Sequence, residues 1–389
     1  SKFYPMCLRL DSSSTFSWNF GQNPSFNGNI TAAANTASSG PGLFKYTPPT
    51  GFLAINQDNL PAANNVSQSD FVWIKSRDNA SANMLFDSNR GPEKRIKSDS
   101  TSAETTSAGS LLKFLAGGGA VGDQTAVNAA DDSVVAWSWV ANGGTTSANT
   151  DGSGGTVATT IQANQTAGFS IVKFTSPASG TGTIRMAHGL SQAPEWMLLK
   201  NLDDSSNWEV YHKSNYIANG ATHTLHLDAI DASAAVNAGV DFWTEAPTAS
   251  YFSLKNLSSI AQNKNAIMYC WHSVPGFSKF ASYSGNGNAD GPFIFTGFKP
   301  AWFMSKRTDN TSDWILWDNK RSKFNPCTER LTPSSTGTEG SASLDFLSNG
   351  VKIRNNDSSR NASGGTYIYM AFAEHPFNGD GSTAFATAR

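Results

Sequence analysis

One stretch occurs three times in this chain and limits what the chain can become. It reads FVWIKSRDNASANMLFD at 71–87, EWMLLKNLDDSSNWEVYH at 195–212 and AWFMSKRTDNTSDWILWD at 301–318. With Lys75, Lys200 and Lys306 aligned, the next twelve residues need no gap. Asp78, Asp203 and Asp309 then coincide, as do Ser81, Ser206 and Ser312. So do the aliphatics Leu85, Val210 and Leu316 and the aromatics Phe86, Tyr211 and Trp317. An apolar run, a polar Asp/Asn/Ser stretch and a second apolar run predict a β-hairpin with a loop of four to six residues. Three hairpins in one register predict three copies of one β module.

The surrounding sequence extends the repeat. Copies two and three both open on Gly-Phe-Ser, at 168–170 and 276–278. Each then has two short strands, the second ending at a glycine (Gly189, Gly297), then a proline (Pro194, Pro300) and the hairpin. Each closes on an aromatic strand, IMYCW at 267–271 and YIYMAF at 367–372. Copy one closes on VVAWSW at 134–139 but has no Gly-Phe-Ser. Its opening strands are either lost or supplied by the segment before it. The expected division is 1–65 as an N-terminal segment, 66–140 as copy one, 141–167 as a Gly/Ser/Thr/Asn-rich linker or surface loop, 168–275 as copy two and 276–389 as copy three. Only AIDASAAVNAG (229–239) offers a short helix. Short strands with frequent turn signals predict an all-β fold of tandem sandwich-like modules, stacked in a row or packed around a pseudo-symmetry axis.

Composition excludes several functions. Net charge is −2 at a pI near 6.3, with no basic run, so nucleic acid is not an expected partner. No apolar stretch reaches the ~18 residues of a membrane span, so no insertion is expected. Charged residues make up only 15% of the chain, so Ser, Thr, Asn and Gly must supply the polar surface. The chain opens on SKFYPMCLRL, without an initiating Met or a signal-like run, and is read as processed or as a piece of a longer product. Three widely spaced cysteines, Cys7, Cys270 and Cys327, are read as free thiols.

The search for chemistry returns little. Phosphate-loop, zinc-protease, nucleophile-elbow and dinucleotide motifs are all missing. His223 and His226 lie three apart on an expected strand and face opposite sides, so no metal is expected there. Asp203-Asp204-x-x-Asn207 and Asp309-Asn310-x-x-Asp313 suit turn chemistry better than a calcium site. Twelve places after the lysine stand Asp87, His212 and Asp318, and a shared catalytic acid would not become histidine. Glu195, set against Phe71 and Ala301, has no matching acid. No cofactor and no enzyme activity are expected.

The second hairpin strand puts Trp208 and Trp314 on one face with Val210 and Leu316, and Tyr211 and Trp317 on the other. One face must be core. The other is either buried between sheets or subunits, or a stacking platform for sugar rings or a partner. Lys200 and Lys306, with Lys75, read as solvated charges at strand ends, with ligand contact as the sharper alternative. The candidate binding set is therefore Trp208, Tyr211, Trp314, Trp317, Lys200 and Lys306, and any recognition surface is expected in the segments that differ, 88–110, 213–240 and 319–342.

The stretches GFS…DGPFIFTGFKPAWFMSKRTDNTSDWILWDNKR and LDFLSNGVKIR…SGGTYIYMAFAEHPF resemble a module found in virion and tail-fibre-like proteins of marine bacteriophages, especially those infecting cyanobacteria. FGQNPSF…FKYTPPTGFLAINQDNLP resembles the end of a SPRY-like, concanavalin-type jelly-roll sandwich. The resemblance implies a structural or adhesive protein on the exterior of the virion, made in the host cytoplasm. It implies a homotrimer that associates with other tail proteins and a host-surface glycan or receptor. A glycan-binding lectin and a capsid decoration protein are the alternatives.

Overall fold

The computed structural model describes residues 68–115, 118–144, 146–149, 157–178, 182–216, 223–235, 242–255 and 262–374, and the backbone of the short strand pair Asn35–Thr36 and Leu43–Phe44. The chain divides into two units, Ser1–Val66 and Ser67–Arg389. The expected SPRY-like segment lies outside the described residues except for that strand pair.

The second unit is all-β, as expected, apart from two single-turn helices, Thr125–Asn128 and Ser358–Asn361. Each of the three repeats forms the hairpin its pattern requires: Phe71–Ser76 with Met84–Asp87, Trp196–Asn201 with Glu209–His212, and Pro300–Arg307 with Trp314–Asp318. The aromatic closing strand of each copy, Val134–Trp139, Asn265–Trp271 or Thr366–Ala373, pairs antiparallel on the far side of the first hairpin strand. In copies two and three the Gly-Phe-Ser lead-in forms the next strand out, Phe169–Thr175 or Ser278–Ser284. Gly168 and Gly276 start these strands at φ of +64° and +74°, which explains the repeated glycine. Copy one has no such strand among the described residues, and Val134–Trp139 is the end strand of its sheet.

Copies two and three are sandwiches. Their central strands are buried on both faces, which explains apolar runs without alternation. The outer face of copy two packs Val172, Met197, Tyr211 and Met268 against Ile184, Met186, Phe252 and Leu254 of a two-stranded cover. The outer face of copy three packs Phe303, Trp317 and Tyr369 against Ile294, Leu344 and Val351 of a four-stranded sheet. Copy one has a thinner cover: Leu111 and the helix residues Ala126 and Val127 lie over Val72, Ile74 and Phe86.

The inner faces of the three sheets meet in one core. Trp73 and Leu85 of copy one, Trp196, Trp208 and Val210 of copy two, and Trp302, Trp314 and Leu316 of copy three belong to it. The copies therefore pack around a shared axis, not in a row. Two expectations are corrected. Within 141–167, Thr159–Asn164 extends the copy-two sheet beyond Phe169–Thr175 and Ser147–Asn149 forms its edge, because their backbones complete its ladder. In the expected helix, Ala234–Ala235 instead pair with His223–Thr224, which leaves no helical turn among the described part of 229–239. Cys270 and Cys327 are free and buried, and Cys7 lies outside the described residues.

Candidate functional site

The candidate binding residues all lie inside the protein. Trp208, Trp314, Trp317, Lys200 and Lys306 are fully buried and Tyr211 is 4% exposed. Trp208 and Trp314 enter the shared core, while Tyr211 and Trp317 enter the cores of their own sandwiches. The two faces divide as the alternation predicts, but neither is an open stacking platform. The lysines are not solvated either. Each reaches from its hairpin into the neighbouring copy, where backbone carbonyls replace water.

That reach repeats around the axis. Lys200 Nζ donates to Ser206 O of its own loop at 2.7 Å and to Thr101 O of copy one at 2.9 Å. Lys306 Nζ donates to Ser312 O at 2.7 Å and to Ile230 O of copy two at 3.1 Å. Lys75 Nζ donates to Ser76 O at 2.7 Å and to Thr336 O of copy three at 3.3 Å. Burial pushes Lys200 and Lys306 down to about 8, and it lowers Lys75 as well. Three residues past each carbonyl, a backbone N–H returns a bond to the same hairpin tip: Glu104 to Leu202 O, Ser233 to Thr308 O, and Glu339 to Arg77 O. Copy two thus grips copy one, copy three grips copy two, and copy one grips copy three. Head-to-tail interfaces of this kind close when the rotation allows, and here three modules of a single chain close a ring.

The buried tryptophans belong to the same ring. Trp208 Nε1 donates to Lys97 O of copy one at 2.7 Å, and Trp314 Nε1 to His226 O of copy two at 2.8 Å. Copy one has Asn83 at this place, and its Nδ2 donates to Thr332 O of copy three at 3.3 Å. The missing ring is made up from the next strand: Trp73 stands where the other copies have Leu198 and Met304, and its Nε1 donates to Asn83 Oδ1 at 3.1 Å. The repeated aspartates are structural too. Asp203 and Asp309 accept the first N–H of their closing strands, from Asn265 and Thr366, and Asp78 accepts that of Ser133, one residue before its strand.

The acids that vary also fall into place. Asp87 accepts Tyr269 Oη of copy two at 2.6 Å and binds the guanidinium of Arg90, which binds Glu104 at 3.0 Å. Burial alone would lower Arg90, but Asp87, Tyr269 and Glu104 together raise it. Asp318 accepts Trp137 Nε1 of copy one at 3.2 Å and binds Arg321 at 2.6 Å, which binds Glu339 at 2.8 Å. The copy-two counterparts are His212, Asn215 and Ser233. Register places Met370 of copy three where Tyr269 and Trp137 stand in the other interfaces, so no ring donor is offered there. The whole relay is neutral in copy two, and desolvation pushes His212 down to about 3. Glu195 does have a counterpart, one residue before Phe71: Asp70 is five before Lys75, as Glu195 is five before Lys200. Asp70 gathers the N–H groups of Ala141, Gly143 and Gly144, and Glu195 accepts that of Ser273. Both hold the turn after their closing strand.

The segments expected to carry recognition are therefore partly used up. Residues 101–104, 230–233 and 336–339 form the interfaces just described. Between copies two and three lies a groove of about 530 Å³ lined by Ser214, Asn215, Ser282, Ser284, Thr308 and Thr366, with Tyr283 and Tyr367 at its back. Those two rings stack at 4.7 Å. Their hydroxyls are tied to Arg360 O and Ser358 O, so the groove presents mainly serine and threonine hydroxyls. No charged side chain lines it among the described residues. Nor do the described residues contain a cluster of His, Cys, Asp and Glu suited to a metal ion.

The described residues of the second unit are three β modules closed into one ring around a common core. The chain belongs to the family described as a domain of unknown function, DUF7483, which matches residues 60–376. The match spans all three copies. No curated protein and no solved structure matches the chain.

Proposed function

We propose that this protein is a non-catalytic adhesin of a bacteriophage tail, a tail-fibre or tail-associated protein that presents a glycan-contacting surface to the host. The observation that carries this reading is the uncharged, hydroxyl-rich groove between copies two and three, set in a closed ring. Hydroxyl rows backed by stacked tyrosines suit a neutral sugar, whose hydroxyls exchange hydrogen bonds with the wall while its carbon face lies on apolar surface. A ring with three mutual grips supplies the rigid support that a weak, multivalent contact needs. Lys75, Lys200, Lys306, Asp87 and Asp318 are engaged in closure, which favours binding over catalysis. The sequence resemblance to virion proteins supports a place on the virion.

The reading includes a homotrimer associated with other tail proteins. Threefold packing is already satisfied within one chain, so a trimer would not use the faces that close the ring. The test has three parts. Antibody labelling of particles should mark the tail, whereas labelling of the head favours a capsid decoration protein and no labelling refutes a virion role. Light scattering should give the mass of three chains, and a stable monomer refutes the trimer. A glycan array should retain the wild-type protein and lose S282W, which fills the groove; equal retention of both refutes the groove.

A further inference from the structure

Copy three carries a second groove with different chemistry. It has a volume of about 350 Å³ and is lined by Lys299, Lys320, Lys323, Phe324, Phe346 and Glu374 among others. The acid is already engaged: Glu374 pairs with Lys299 at 2.7 Å and accepts Asn319 Nδ2 at 2.8 Å. Lys320 and Lys323 are exposed and lie in the segment 319–325 that follows the third hairpin. Phe324, next to Lys323, is 84% exposed, the largest exposure among the described large apolar side chains. This exposure is held in place. Asn325 beside it is clamped to Phe346 by two bonds, Nδ2 to Phe346 O at 2.9 Å and Phe346 N to Asn325 Oδ1 at 3.0 Å. Asp318 Oδ1 accepts the Lys320 N–H at 3.0 Å, which fixes the other end of the loop.

A phenyl ring held in water costs free energy unless a ligand covers it. Lysines lining the same groove favour a ligand with negative charge, and their attraction is screened by salt. Together they define a ligand with an anionic group and an apolar face to lay on the ring. We propose that this groove binds an anionic sugar, a carboxylate- or sulfate-bearing residue of a surface polysaccharide. The negative charge follows from the groove; the choice of a saccharide rests on the adhesin reading above.

The test uses the whole chain and three polymers: polygalacturonate, dextran sulfate and uncharged dextran, with polyglutamate as a non-saccharide anion. The wild type should bind the first two, bind polyglutamate at least tenfold more weakly, and show no groove-dependent binding of dextran. K320A/K323A should weaken binding about tenfold or more and flatten its salt dependence. F324A should weaken it severalfold with the salt dependence kept. Both variants remove exposed side chains and should melt with the wild type, and K113A on copy one should bind normally. Unchanged binding by K320A/K323A overturns the site. Polyglutamate binding as well as the sugars, or F324A behaving as wild type, overturns the saccharide assignment. Loss of polymer binding by K320A/K323A with unchanged adsorption of particles to host cells leaves the groove standing and refutes the adhesin role.

Discussion

Replacing His212 with aspartate restores the residue that copies one and three carry, yet it should damage the protein. At Asp87 and Asp318 each carboxylate has a ring donor from the neighbouring copy and an arginine three residues on. At position 212 neither exists, and the site is 1% exposed. A backbone donor would remain, the Ser214 N–H that now meets His212 Nδ1 at 3.0 Å. A buried carboxylate without its partner costs about 3–5 kcal/mol. The cost should depend on pH. The folded carboxyl would titrate well above the ordinary value of about 4, so its penalty is absent below pH 4 and grows by about 1.4 kcal/mol per unit above it, levelling near pH 6–7. The wild type behaves oppositely. His212 is held to about 3, so between pH 6.5 and 3 the unfolded chain binds a proton that the folded chain refuses, and stability falls as pH falls. H212D should therefore be about 3–5 kcal/mol less stable than wild type at pH 7.5 and equal or more stable at pH 4. Urea unfolding at both pH values measures this. H212D/N215R/S233E, which restores the arginine and its acid, should recover about 1–3 kcal/mol at pH 7.5. A loss below about 1 kcal/mol that does not vary with pH, or a triple variant no better than the single, would refute the relay as the reason for the histidine.

Other consequences are open to direct measurement. Trp208→Ala and Trp314→Ala should each cost about 3–5 kcal/mol, because each deletes a core ring and orphans a carbonyl of the preceding copy; a cost below ~1 kcal/mol would mean the ring does not close there. Between pH 8 and 9.5 stability should rise with pH. Lys200 and Lys306 are held to about 8, so the unfolded chain keeps protons that the folded chain releases. Denaturation midpoints of K200M/K306M should show a shallower rise, and an equal slope would show that other groups are responsible. Asp70→Ala should cost about 3 kcal/mol or more, since it leaves the N–H groups of Ala141, Gly143 and Gly144 without their acceptor; faster amide exchange at these three residues is the direct readout.

The three hairpins, their register and the division of their faces were legible because local chemistry writes them. Strand alternation and turn residues act within a dozen positions, and triplication made the pattern visible above composition. The roles of the lysines were not legible. A lysine at the mouth of a turn looks solvated in its own hairpin, and only the carbonyls of Thr101, Ile230 and Thr336, brought from other copies, show that it is buried. The hydroxyl groove was equally hidden, since its walls come from distant segments of copies two and three, at 214–215, 282–284, 308 and 366–368. One signal was present: Asp87/Arg90/Glu104 and Asp318/Arg321/Glu339 occupy matching places in their copies, and copy two changes all three places together. Three coupled substitutions imply a physical contact among those positions, even where the chain separates them.

The sequence by itself determined the all-β class, the three modules, the hairpin register and the glycines at the lead-in strands. These depend on residues close in the chain, where backbone preference and alternation decide. Tertiary structure alone decided that the modules close head to tail, that tryptophans and lysines serve the closure, and that the open grooves lie on copy three and at its border with copy two. Those outcomes depend on which carbonyl or ring a distant segment brings within about 3 Å, and no local pattern encodes that distance.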